Sequence, residues 1–218
     1  ISLGKNKEVF EADAPFAHAI VTRRLYRHAS YLVINVSSPN TPGLRALQEK
    51  GPLTDIVQAV NTAMDECGGR KPLFVKIAPD LTLDATNDVI DVVLTNGLTG
   101  IIAANTTINA NIKAKYGVRE EQGGLAGDDE DFRRMSTERI DHIYRVTGGK
   151  MDIFGVGGVK DTRTALEKIA AGAKVVQVVT GIRGEGTTLP GRINRGLVEF
   201  MDKQGVRNIQ ELVGQGKF

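Results

Sequence analysis

Short apolar runs alternate with amphipathic stretches along most of the chain, and each apolar run ends in polar, Gly- or Pro-bearing residues. Residues 1–4 (ISLG) read as the end of a strand, and residues 14–28 carry helical spacing with Phe16, Ile20 and Leu25 as core contacts. The partly β-branched run at residues 32–35 is a buried strand, and residues 53–67 form a helix with Ile56, Val60 and Met64 spaced by four. Residues 71–79 (KPLFVKIAP) give the next buried strand. The helix of residues 84–96, with Ala85, Val89, Val92 and Val93 on one side, ends at Gly97, and the strand of residues 100–104 (GIIAA) follows. Residues 108–135 are the one long irregular stretch, polar and carrying GGLAG at residues 123–127. Loops of that length in compact folds usually carry function or lack order. Ser136 is placed to cap a helix over residues 136–146, and the strand of residues 152–156 ends in Gly157 and Gly158. A helix at residues 161–171, a strand at residues 174–179 ending in Thr180 and Gly181, and a helix at residues 189–203 with Pro190 in its first turn complete the chain.

Strand followed by helix therefore recurs six times, with no run of consecutive strands. That order calls for an α/β fold with a parallel sheet and helices outside it, either an open doubly wound sheet or a closed (β/α) barrel. The polar residues distinguish the two. Five successive strands finish in Asn, Ser, Thr, Lys or Gly-Gly, as expected when every strand end faces one shared barrel mouth. An open sheet places its ligand at a single switch point and asks fewer strands to contribute. The expectation is a (β/α)8 TIM barrel with six units in this chain. The first two strands are expected to be missing, because the deficit falls at an abrupt start without an initiator Met.

Composition changes this picture little. The 218 residues suffice for a full core and are expected to form one domain, and 41% hydrophobic with 25% charged residues is ordinary for a soluble protein. A net charge of +2 gives no support to a nucleic-acid partner, and Arg23, Arg24, Arg27, Arg133 and Arg134 read as solvated helix faces. The lone Cys67 cannot form an internal disulfide, which fits a reducing compartment. No apolar run approaches the roughly 20 residues needed to span a bilayer.

The candidate chemistry concentrates in residues 31–43, YLVINVSSPNTPG, where Asn35, Ser37, Ser38, Asn40 and Thr41 leave a buried strand through a turn set by Pro39, Pro42 and Gly43. Asn105, Thr106 and Thr107 form a second amide and hydroxyl cluster at a strand end. Lys76 interrupts an apolar strand and must either pair with a carboxylate such as Asp80 or face a group that gains negative charge during reaction. The GVGG of residues 155–158 and the VVTG of residues 178–181 read either as tight turns or as the phosphate site that barrels build from their last two loops. His18, His28 and His142 all fall in helix-like stretches and no metal-ligand set is visible, so the difficult step is assigned to an organic cofactor.

Taken together, LGKNK at residues 3–7, NVSSPNTPGLRALQ at residues 35–48, VKIAPDL, ANTT, GGLAG, GVGG and GAKVVQVVTG resemble the class 2 dihydroorotate dehydrogenases, in matching order over nearly the whole chain. The resemblance implies an FMN-dependent enzyme of pyrimidine biosynthesis that oxidises (S)-dihydroorotate to orotate and passes electrons to a quinone. In that family a serine removes a proton while the flavin takes a hydride. Ser38 matches the serine and Thr41 a threonine that relays its proton, whereas class 1 enzymes use a cysteine and Cys67 lies far from the motif. Asn35, Asn40, Asn105 and Thr106 match substrate-binding positions, and Asn35 is also a cofactor position. Lys76 matches the lysine beside the flavin, and Gly127, Gly157, Gly158 and Thr180 match FMN contacts. Three cofactor positions depart from the family pattern: Ser2 replaces an Asn, Ala104 a Thr and Val179 an aromatic residue. The resemblance further implies peripheral contact with the cytoplasmic side of a bacterial cell membrane, through an N-terminal helical region with no counterpart in these residues. Two other readings compete, a dihydrouridine synthase-like FMN barrel and a flavin-free barrel fragment. The first predicts a basic face and a cysteine acid.

Overall fold

The computed structural model describes residues 1–216. Six parallel strands form one sheet in the order β1-β2-β3-β4-β5-β6: β1 (Ser2–Leu3), β2 (Leu32–Asn35), β3 (Leu73–Ile77), β4 (Gly100–Ala103), β5 (Asp152–Val156) and β6 (Val175–Gln177). Each strand pairs with its predecessor, so there is no switch point at which the order reverses, and the doubly wound alternative is removed.

The sheet is strongly curved. Tyr31, at the entry to β2, lies edge-on to Phe154 of β5 with ring centroids 5.8 Å apart. In a flat sheet, strands three positions apart are separated by roughly 14 Å. Phe74 of β3 fills the space between them, 4.4 Å from Phe154 and 5.8 Å from Tyr31. With Val33, Ile102 and Val156 these rings form a core on the concave face, separate from the larger core outside. The fold is a (β/α) barrel of the TIM type, present as a six-stranded arc with β1 and β6 at its edges.

Alternation along each strand divides the two cores. Leu32, Ile34, Leu73, Val75, Ile77, Ile101 and Ile153 point outward and are buried beneath the helices. There they meet α2 (Lys50–Cys67), α3 (Leu83–Thr95) and α5 (Glu130–Thr147) through Ile56, Val60, Met64, Val89, Val93, Ile140 and Ile143. Each such aliphatic side chain contributes about 1.5–3 kcal/mol on burial. At the two ends of the arc, α1 (Ala14–Leu25) lies against α2, and α6 (Thr162–Ala170) against α8 (Leu189–Gln204). Two short helices, α4 (Ala110–Ala114) and α7 (Thr180–Glu185), follow the ends of β4 and β6.

Several sequence expectations shift. Phe16 is 68% exposed, and α1 buries Ala14, His18, Ala19 and Thr22 instead. These small and polar residues let α1 approach α2 closely, which a phenyl ring on that face would prevent. The stretch at residues 108–135 is less irregular than expected: it contains α4 and the start of α5. Ser136 is accordingly no cap. Asp129 caps α5 by accepting the Phe132 N–H at 2.8 Å, and Ser136 sits buried within the helix, its hydroxyl donating to the Val156 carbonyl at 2.7 Å. A carboxylate is an equally good cap, and the run Asp129, Glu130, Asp131 also favours the positive end of the helix dipole.

A candidate active site at the carboxyl ends of the strands

The last inward layer of the sheet is set by register. Asn35 pairs with Lys76, and Lys76 with Ile102, so all three project toward the concave side one layer above Val33 and Phe74. Lys76 is half-buried, and among the described residues its ammonium has no hydrogen-bond or ion-pair partner. Desolvation pushes its pKa below the ordinary lysine value. Asp80, the carboxylate considered as its partner, is engaged elsewhere. It accepts from Arg45 Nη1 at 2.8 Å, Thr107 Oγ1 at 2.5 Å and Ile108 N–H at 3.2 Å. Lys76 instead lines a cavity of about 670 Å³, within the range of cofactor pockets.

Nine of the expected site residues wall that cavity: Lys76, Ala104, Asn105, Thr106, Gly127, Gly157, Gly158, Val179 and Thr180. None of the three histidines does. At one end the loops after β5 and β6 converge. Gly157 and Gly158 adopt φ of +125° and +70°, conformations that L-residues with side chains rarely hold. A Cβ on Gly158 would lie 2.7 Å from the Arg133 side chain, and one on Gly157 would lie 3.1 Å from Phe132 and Ser136. Glycine therefore lets this loop lie flat on α5 with its backbone turned to the cavity. Gly127 closes the same end, its Cβ position 3.4 Å from Thr180 Cγ2.

The other expected residues stand beside the cavity. Asn35 Oδ1 accepts from Ser37 Oγ at 3.0 Å, and Ser37 Oγ in turn accepts from Asn105 Nδ2 at 3.0 Å. Asn105 Oδ1 accepts the Thr106 N–H at 2.8 Å, which fixes how its amide is turned. Two of the expected ring-binding amides are thus joined through one buried hydroxyl. Ser38 is half-buried and its Oγ accepts the Asn40 N–H at 3.3 Å, while Thr41 follows on the same turn. Asn40 and Thr106 both lie against the GGLAG segment: a Cβ on Gly123 would lie 2.9 Å from Asn40 Oδ1, and one on Gly124 would lie 2.0 Å from Thr106 Oγ1. Ser2 is the outlier, in register with Val33 and therefore one layer below Lys76.

Four neighbours have no role assigned from the sequence: Ser37 and Thr107 stand in the two polar clusters, Asp80 figures only as a possible partner of Lys76, and Arg45 is not singled out at all. Ser37 and Thr107 are fully buried polar residues. The signal for Arg45 was its place two residues after the PG turn, but nothing local shows that its guanidinium reaches two other loops. Lys168 was missed as well. It is fully buried behind the Gly157 loop, where its Nζ donates to the Arg133 carbonyl at 3.0 Å and Thr137 Oγ1 at 2.7 Å, and desolvation lowers its pKa to about 7.

Comparison with known proteins shows the family. The family model described as dihydroorotate dehydrogenase matches residues 1–201. A protein of Anaeromyxobacter dehalogenans (strain 2CP-C), named dihydroorotate dehydrogenase (quinone), is 39% identical over 214 residues, which is 98% of this chain and 58% of that protein. A mitochondrial protein of the same name from Oryza sativa subsp. japonica is 41% identical over 219 residues, covering 98% of this chain and 46% of its own length. The crystal structure of ligand-free DHODH from Eimeria tenella superposes with a TM-score of 0.89 at 34% identity, covering 97% of this chain and 62% of that one. The chain thus spans less than two thirds of the length of these relatives.

Proposed function

The chain belongs to the dihydroorotate dehydrogenase family, and from that premise we propose that it supplies the catalytic face of an FMN-dependent enzyme oxidising (S)-dihydroorotate to orotate in pyrimidine biosynthesis. The observation that carries this reading is that Lys76, without a hydrogen-bond or ion-pair partner among the described residues, lines one cavity together with Asn105 and Thr106. The glycine-lined end of that cavity suits a phosphate, since glycines let backbone N–H groups come close to an anion. Gly157, Gly158, Gly127 and Thr180 would hold the FMN phosphate there, and Lys76 would lie beside the ring system, its charge opposing the negative charge that reduction brings. When bound, FMN supplies the hydride acceptor.

The chain's own residues supply the rest. Asn35, Asn40, Asn105 and Thr106 offer paired donors and acceptors to a ring of alternating N–H and C=O groups, and so orient the substrate carbon. Ser38 Oγ takes the proton from that carbon. A hydroxyl is a weak base at its free pKa, so its own proton must leave in the same event, and Thr41 on the same turn is assigned to relay it, accepting that proton while its own hydroxyl proton passes on to solvent. Ala104, where the family pattern it resembles has a Thr, brings no polar side chain to the cavity, which leaves Lys76 and backbone groups to hold that side of the cofactor.

The names of the relatives further support a quinone as electron acceptor. No described helix is long and apolar enough to cross a membrane. The quinone-dependent reading also carries peripheral contact with the cytoplasmic face of the cell membrane. The test is direct: the purified full-length protein should show flavin absorbance, and anaerobic dihydroorotate should bleach it. A protein that is colourless and takes up no FMN on reconstitution would contradict the reading.

A further inference from the structure

One guanidinium joins three of the loops that build the site. Arg45, in the 3₁₀ turn Leu44–Gln48, donates through Nε to the Ser37 carbonyl at 3.1 Å, through Nη1 to Asp80 Oδ2 at 2.8 Å and through Nη2 to the Thr106 carbonyl at 2.7 Å. These acceptors belong to the loops after β2, β3 and β4. Asp80 extends the same network into the β4 loop through Thr107 Oγ1 at 2.5 Å and Ile108 N–H at 3.2 Å. The arginine's own turn is anchored in parallel: Gln48 donates to the Arg45 carbonyl at 3.1 Å and accepts the Ala78 N–H at 2.8 Å. The Arg45 and Asp80 side chains are only 19% and 20% exposed, so the pair is largely shielded from solvent screening.

Two of the three acceptors flank functional side chains. Ser37 immediately precedes Ser38, and Thr106 is itself one of the ring-contacting residues. We propose that Arg45, held by Asp80, is a positioning residue that fixes the separation between the Ser38 turn and the Asn105–Thr106 pair, and so the alignment of base and substrate. The role rests on the dihydroorotate reading for its kinetic consequence, while the clip itself stands on the geometry. A planar guanidinium spreads its donors over three nitrogens in a fixed geometry and so reaches three diverging acceptors at once, whereas a lysine gathers its three donors on one nitrogen at the end of a flexible stem. Because misplacement of reacting groups by about 1 Å can cost on the order of 10²-fold in rate, a loosened clip is expected to act on turnover.

The test compares Arg45→Lys and Asp80→Asn with the wild-type full-length protein by hydrogen exchange, thermal melting and steady-state kinetics. Exchange of amides at residues 37–44 and 104–109 should accelerate together, by about tenfold or more, while the strand amides keep their protection. With dihydroorotate, kcat should fall on the order of 10²-fold in Arg45→Lys and KM should rise by a smaller factor. Asp80→Asn, which keeps one acceptor oxygen, should lie between the two. Unchanged exchange in both loops, or a wild-type kcat in a folded Arg45→Lys protein, overturns the proposal. A wild-type protein that fails to oxidise dihydroorotate refutes the functional reading instead, and the exchange data still decide whether the clip exists.

Discussion

Asn105 Nδ2 donates to Ser37 Oγ at 3.0 Å, a contact between residues 68 positions apart that joins the end of β4 to the end of β2. Ser37 passes the link on to Asn35, so a single buried hydroxyl sets how the two amides are turned. Ser37→Ala should leave Asn35 Oδ1 and Asn105 Nδ2 without these partners. A net loss of about 1–3 kcal/mol is expected for such a buried polar deletion. Orotate titrated into the full-length protein should bind roughly tenfold or more weakly, with the FMN content unchanged.

The GGLAG segment is pressed onto the same residues. A methyl group on Gly124 would lie 2.0 Å from Thr106 Oγ1 and 3.0 Å from Pro39 Cγ, so Gly124→Ala must lift the segment off the mouth or turn Thr106 aside. KM for dihydroorotate should rise by roughly tenfold or more. Flavin content, read from absorbance, should stay at the wild-type level, because Gly124 does not line the large cavity.

Lys168 gives the clearest dependence on pH. Its folded pKa of about 7 lies below the ordinary lysine value, so between these limits the unfolded chain binds more protons than the folded one. Stability therefore rises with pH across that window. Below about pH 7 the buried ammonium must be kept in a desolvated site, at a cost of roughly a few kcal/mol. Lys168→Met should flatten this slope, raising Tm at pH 6 relative to wild type by more than it does at pH 9. A melting series over pH 6–9 reads both slopes, and parallel curves for the two proteins would contradict the assignment.

The backbone was largely legible because burial on both faces makes parallel strands read as continuous apolar runs, as in the residues around Val33, Val75 and Ile102. Lys76 was conspicuous for the same reason: a cation has no place in such a run unless it faces a cavity or a partner. What stayed hidden depends on contacts made only in three dimensions. Phe16 fits helical spacing as well as His18 does, yet α1 packs so tightly on α2 that small and polar residues form its buried face. Ser136 and Asp129 are both good caps, and the acidic run of the first turn decided for Asp129. Asp80 was visible only as a neighbour of Lys76. Its partner Arg45 lies 35 residues away, and no local pattern signals that pairing.

The central claim assigns proton removal to Ser38, and reduction of the flavin in the full-length protein by dihydroorotate tests it most directly. Mixed anaerobically and followed at the flavin absorbance, Ser38→Ala should bleach on the order of 10²- to 10⁴-fold more slowly than wild type while retaining FMN and orotate binding. Bleaching at the wild-type rate would contradict the account.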